Sequence, residues 1–182
     1  VLVGGCLKPN PDFIEDTEAG SGASMTSMSS DTQASCEMPT SQELTPIDLD
    51  PLTSSGVGSE DGNFTAGVDE VWYRFGATAD FALATLFASV ATELADPVGL
   101  CVFFECTNEI AGINQAYVQC PDATMTSSPG GLMGCCGQGE VSVQWTCIDG
   151  QPVGNVFLRA QAPASAGECT PFEVAYSLSG LM

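Results

Sequence analysis

The chain has 182 residues, 44 % of them hydrophobic, with 23 acidic residues against three basic ones, no histidine and a formal net charge of −20. So lopsided a charge excludes nucleic acid and anionic membrane surfaces as partners, because Lys and Arg must neutralise their phosphates, and it suits a soluble surface that repels its neighbours. Nine cysteines with no C-x-x-C pair exclude an ordinary structural zinc site and point to disulfides made in an oxidising compartment, in one domain with a tail.

The first residues, Val1-Leu2-Val3-Gly4-Gly5-Cys6, read as an apolar signal-peptide stretch running into small residues and a cysteine. The sequence turns polar at once, in Lys8-Pro9-Asn10-Pro11-Asp12. The stretch resembles the bacterial lipobox, in which the cysteine becomes the lipidated first residue of the mature protein, although Val3 stands where leucine is usual. That resemblance implies that residues 1–5 end a lipoprotein signal peptide and that Cys6 carries the lipid, a palmitate-type anchor. Eight cysteines then remain for disulfides: Cys36, Cys101, Cys106, Cys120, Cys135, Cys136, Cys147 and Cys169.

Residues 6–42 read as a tether. From Glu15 to Ser35 the composition is Ser, Thr, Gly, Ala, Asp and Glu with a single Gln33, and Met25 and Met28 are the large apolar side chains. Such a segment buries too little apolar surface to offset its ordering entropy and is expected to be disordered. About 29 flexible residues span roughly 30 Å on average and about 100 Å when pulled out, enough to hold a domain clear of a membrane. Cys36 is expected to tie the tether's end to the domain.

Residues 43–182 carry strand signals at short spacing. Thr45 to Pro51 is a short alternating segment whose two prolines place it at an edge. Ser54 to Gly62 reads as a loop. In a bacterial lipoprotein, the match of Asn63-Phe64-Thr65 to a glycosylation acceptor is one of chance. Asp69 to Phe75 is a strand with Val71, Tyr73 and Phe75 on one side. Residues 79–88 alternate as a strand, with Phe81, Leu83, Thr85 and Phe87 in phase, followed by a loop or short helical turn before Pro97. Leu100 to Cys106 is apolar on both faces and so covered on both. Its period puts Cys106 with Leu100, Val102 and Phe104, and Cys101 with Phe103 and Glu105. Ala116 to Cys120 is a short strand and Pro121 to Gly134 a loop. Cys135 and Cys136 point opposite ways in extended chain and are expected to reach different partners. Val141, Val143, Trp145 and Cys147 share an inward face. After the turn signal Asp149-Gly150, Val156 to Ala160 and Phe172 to Leu178 complete the set. The expectation is all-β: a disulfide-rich, jelly-roll-like β-sandwich of about seven or eight antiparallel strands.

The order Asp69…Trp72-Tyr73-Arg74-Phe75, then Leu100-Cys101-Val102-Phe103-Phe104, then Val156-Phe157-Leu158-Arg159, then Cys169-Thr170-Pro171-Phe172-Glu173-Val174 resembles the bacterial pre-peptidase C-terminal domain. It resembles more closely the cysteine-rich version on surface lipoproteins, over 43–182. The resemblance implies a jelly-roll-like sandwich without catalysis that binds substrate or matrix and, in some members, is stabilised by calcium. Asp48, Asp50, Asp69, Glu70 and Asp96 are the acidic residues nearest the matching strands; none is assigned as a metal ligand. No part of the 182 residues reads as a peptidase, so a stand-alone displayed domain is expected.

Without histidine no Ser-His or Cys-His pair forms, and no acidic pair stands out, so the chain is expected not to be an enzyme. Arg74 and Arg159, the cations of the domain, are expected to pair with carboxylates across the sheet. Trp145 is placed in the core and Trp72 is the better candidate for an exposed stacking platform. The function expected is a membrane-anchored, extracytoplasmic binding or adhesion module at the bacterial outer membrane or cell surface, with surface polysaccharide or protein as partner. A structural envelope or coat component is the alternative, and a secreted hydrolase using a carboxylate pair is a remote one.

Overall fold

In the computed structural model, residues 41–65, 67–107, 116–148, 150–167 and 169–181 are described. The anchor at Cys6, the tether and Cys36 lie outside them. Residues Ser35–Met182 form one compact unit. Its described residues form twelve strands: β1 Ile47–Asp48, β2 Leu52–Thr53, β3 Val57–Phe64, β4 Glu70–Thr78, β5 Leu83–Thr92, β6 Gly99–Cys106, β7 Ala116–Gln119, β8 Thr124–Ser127, β9 Met133–Gln138, β10 Glu140–Cys147, β11 Val153–Gln161 and β12 Thr170–Leu181.

They form two sheets. The larger runs β1-β4-β11-β6-β9-β8, with β2 also paired to β4; the smaller runs β3-β12-β5-β10-β7. All neighbours are antiparallel except the two-residue β1 and β2, which lie parallel to β4. The all-β, disulfide-rich sandwich read from the sequence is therefore the fold, with more strands than the seven or eight expected.

The strands arise where alternation meets a partner able to cover it. In β10, Val141, Val143, Trp145 and Cys147 are buried, and Ser142, Gln144 and Thr146 between them are partly exposed. The inward faces of β4, β6 and β11 meet those of β5, β10 and β12 in one core. Aromatic pairs bridge the sheets: Phe104 stacks on Trp145 at 4.8 Å and Phe75 on Tyr176 at 4.6 Å between ring centroids. Offset pairs of this kind add about 0.5–1.5 kcal/mol beyond their burial.

Three segments differ from the sequence reading. Residues 57–64 are edge strand β3 rather than loop. Their glycines exclude side chains where the aromatic core needs room: a Cβ on Gly58 would enter the Tyr176 ring, and one on Gly62 would meet Phe172 and the Tyr73 hydroxyl. The expected loop 121–134 contains β8 and the start of β9, joined by a turn in which Gly131 takes a φ of 87°. The strand expected over 79–88 is shifted to 83–92, and no helical turn follows it before Pro97. Its register is set by β12 and β10, which pair with it on either side.

Candidate functional site

The disulfides come first because they position the rest. Cys106–Cys147 joins β6 of the larger sheet to β10 of the smaller, inside the core. Cys120–Cys135 ties the segment after β7 to β9. Cys101–Cys136 links the directly paired positions of β6 and β9. Adjacent Cys135 and Cys136 thus reach different partners on opposite faces of β9. Cys169 is disulfide-bonded as well.

The outer face of the larger sheet carries a second, smaller core. Trp72, Cys101, Phe103 and Phe157 are buried there, with Leu132 and Cys136 packed against them. Trp72 is therefore no exposed platform. Its ring is 0 % exposed and stacks on Phe103 at 5.6 Å. Its backbone N–H donates to Ser41 Oγ at 2.8 Å and its indole N–H to Glu70 Oε1 at 2.9 Å. Above the rings lies Arg159, whose guanidinium carbon is 5.5 Å from the Trp72 ring and 5.6 Å from that of Phe103. The same guanidinium stands 3.6 Å from Glu70 and directs Nη2 to Cys101 Sγ at 3.0 Å. Its Nε is buried without a hydrogen-bond partner. Glu43 closes the neighbouring β8–β9 turn, accepting from the Ser128 hydroxyl and from the Gly130 N–H. Arg74 pairs with Asp48 at 2.6 Å on the exposed edge. Both arginines are thus held by carboxylates, and Trp145 is fully buried.

The outer face of the smaller sheet is built differently. The pairing register lays Val57, Ser177, Phe87 and Ser142 in one cross-strand row. Beside it run Ser59, Ala175, Ser89 and Glu140, and on the other side Ser179, Thr85, Gln144 and Gln119. Among the described residues, the exposed large apolar side chains of these strands on this face are Val57, 78 % exposed, Phe87, 42 %, and Tyr117, 59 %. Phe87 sits on β5, the middle strand of the sheet. It faces outward because Ala84, Leu86 and Ala88 fill the inward positions; Leu83, Thr85 and Phe87 share a side as the alternation suggested, and that side is the outer one. The signal for this lay in its neighbours, since the outward positions of β10 and β12 are largely Ser, Thr and Gln.

At one end of this face Asp61 lies directly opposite Glu173. With Glu93, Thr92 and Phe172 they line a shallow depression of about 560 Å³. At the sandwich edge a second groove holds Asp48, Asp50 and Glu60 around Tyr176. Desolvation, then Glu60 and Asp50, push the Tyr176 hydroxyl above its ordinary pKa. Burial, with Glu60 and Asp61, raises that of Tyr73 more strongly, and its hydroxyl has no partner. No group of three or more Cys, Asp or Glu among the described residues could hold a metal ion, and Asp48, Asp50, Asp69, Glu70 and Asp96 do not form one.

No family model matches the chain, and no curated protein matches it. Among solved structures, the crystal structure of the pre-peptidase C-terminal domain of a collagenase from Bacillus anthracis is similar at 12 % identity and a TM-score of 0.33, over 72 % of this chain and 95 % of that one. That likeness is too remote to add to the fold, which rests on the strand pairing described above.

Proposed function

We propose that this protein is an extracytoplasmic binding or adhesion module without catalytic activity, held at a bacterial outer membrane or cell surface by lipid on Cys6, and that its contact surface is the outer face of the smaller sheet. The disulfides support an oxidising compartment. One observation carries the contact surface: the phenyl ring of Phe87 is exposed in the middle of the central strand, ringed by Ser177, Ser142, Thr85 and Ser89. A core-facing alternation would have hidden it, and short hydroxyl side chains leave it standing proud of the sheet.

Arg74 and Arg159 both belong to the larger sheet, so among the described residues this face carries no cation. An anionic ligand finds nothing to pair with there. An uncharged surface polysaccharide fits, with its sugar faces against Phe87 and Tyr117 and its hydroxyls on Ser, Thr and Gln.

The test is retention on insoluble surface polysaccharide prepared from the cell envelope. The variant carrying Phe87→Ala and Tyr117→Ala should lose at least about tenfold in retention, the loss expected for removing central aromatic contacts, with its circular dichroism unchanged. Equal retention by the variant overturns the reading. Assembly of the purified protein into large particles, with no polysaccharide retained, would instead favour a coat component.

A further inference from the structure

The Cys101–Cys136 bond differs from Cys106–Cys147 and Cys120–Cys135 in the cation beside it. Cys106 and Cys147 are both 2 % exposed, sealed between the sheets. Cys135 is fully buried, and its partner Cys120, half-buried like Cys136, has its sulfur 3.8 Å from the carbonyl oxygen of Gly134 and, among the described residues, no arginine against it. Cys101–Cys136 lies on the outer side of the larger sheet, where Cys136 is half-buried. The register places it in a row that crosses the sheet: Trp72, Arg159, Cys101, Cys136 and Thr124. Arg159 directs Nη2 to Cys101 Sγ at 3.0 Å, with Cys136 Sγ at 3.9 Å. The rings of Trp72 and Phe103 hold the guanidinium in place.

A cation beside a sulfur favours the thiolate over the thiol. In exchange, the sulfur whose thiolate is more stable leaves faster, and the accessible sulfur is the one attacked. Here the two roles fall on different atoms. Cys136 is open to attack, and Cys101, only 3 % exposed, leaves towards Arg159.

We propose that Cys101–Cys136 is a site of thiol–disulfide exchange, opened ahead of Cys106–Cys147 and Cys120–Cys135 by a dithiol reductant. The thiolate of the dithiol attacks Cys136 Sγ, the Cys101–Cys136 bond breaks, and Cys101 departs as a thiolate paired with Arg159. The second thiol of the reductant, on losing its proton, attacks its own sulfur in the mixed disulfide and displaces Cys136. Two electrons pass to the protein, the dithiol becomes a disulfide, and Cys101 and Cys136 become thiols. The sandwich outlasts the step because β6 and β9 remain joined by their backbone ladder and Cys106–Cys147 still ties the sheets.

The experiment treats the folded protein with limiting dithiothreitol, quenches at intervals with an alkylating agent, and maps the labelled cysteines by mass spectrometry. Label should reach Cys101 and Cys136 at least about tenfold sooner than Cys106, Cys147, Cys120 or Cys135, as thiolate stabilisation at a single leaving group allows. Arg159→Met should slow labelling of this pair alone, measured against the other disulfides in the same sample, and Arg159→Lys should restore part of it. In the reduced protein, alkylation of Cys101 should begin at lower pH with Arg159 present than with Met. Cys106–Cys147 or Cys120–Cys135 opening first, all three opening together, or an unchanged rate in Arg159→Met would each overturn the proposal. The wild-type order stands as a test even if the variants fold poorly.

Discussion

The two outer faces of this sandwich are made from the same secondary structure and put to opposite uses. On the larger sheet, aromatic rings, a guanidinium, a carboxylate and a disulfide close over one another, and Ser41 and Leu132 complete the cover. Little of that chemistry is left to solvent. On the smaller sheet the outward positions are short and polar, and the few apolar side chains stand apart and exposed. An aromatic side chain in an outward position does not by itself separate the two. Trp72 on one face and Phe87 on the other are both outward-pointing aromatics in mid-strand. What differs is whether a neighbouring segment arrives to cover the ring.

The strongest way to break this comparison is to truncate one ring on each face. Trp72→Ala should cost about 3–5 kcal/mol, as in a true core, and Phe87→Ala less than about 0.5 kcal/mol, as at a surface position. Urea unfolding of both variants decides it, and equal losses would show the two faces to be energetically alike. A smaller effect should follow from uncovering the larger face. Ser41→Ala leaves the buried Trp72 N–H without its acceptor, an expected loss of about 1–3 kcal/mol, measured the same way against Ser142→Ala on the open face.

The smallest effect concerns the space between the sheets. Tyr73 of the larger sheet feels Glu60 and Asp61 of the smaller, and burial holds its pKa well above the ordinary value of 10.0. A group whose pKa is higher folded than unfolded contributes its stability below the unfolded pKa. That contribution is lost as pH rises, because the unfolded chain ionises first. Stability should therefore fall above about pH 10. Tyr73→Phe should flatten that fall and, by removing an unpartnered buried hydroxyl, add about 1 kcal/mol at neutral pH. An unchanged alkaline slope in chemical denaturation would assign the fall to other groups.

Much of the sandwich was legible where a strand's own alternation settles its orientation. The inward set of β10 and the split of Cys101 and Cys106 to opposite faces of β6 are of this kind. What escaped depends on distant segments. Strand β3 looks like a loop because its glycines answer to the rings of Tyr176 and Phe172, more than a hundred residues on. Phe87 faces outward because pairing with β12 and β10 sets the phase of β5, and the small inward residues Ala84 and Ala88 give no local sign of it. Trp72 is hidden by Phe103 and Arg159, thirty-one and eighty-seven positions later. The candidate contact face was thus the least legible part, since a face is defined by which strands meet across it and no single strand records that.

The grip of Glu43 on the β8–β9 turn has a mechanical consequence. A pull on the chain ahead of Ser41 is received at two places, the Trp72 N–H on β4 and the Ser128–Gly130 turn beyond β9. Both border one groove on the outer face, lined by Glu43, Trp72 and Gly130, yet they belong to strands with β11 and β6 between them in the pairing order. The load is therefore shared between two parts of the larger sheet, whose β6–β9 ladder the Cys101–Cys136 bond staples. Detaching the segment means breaking separated bonds together, where a single edge strand would peel away one bond at a time.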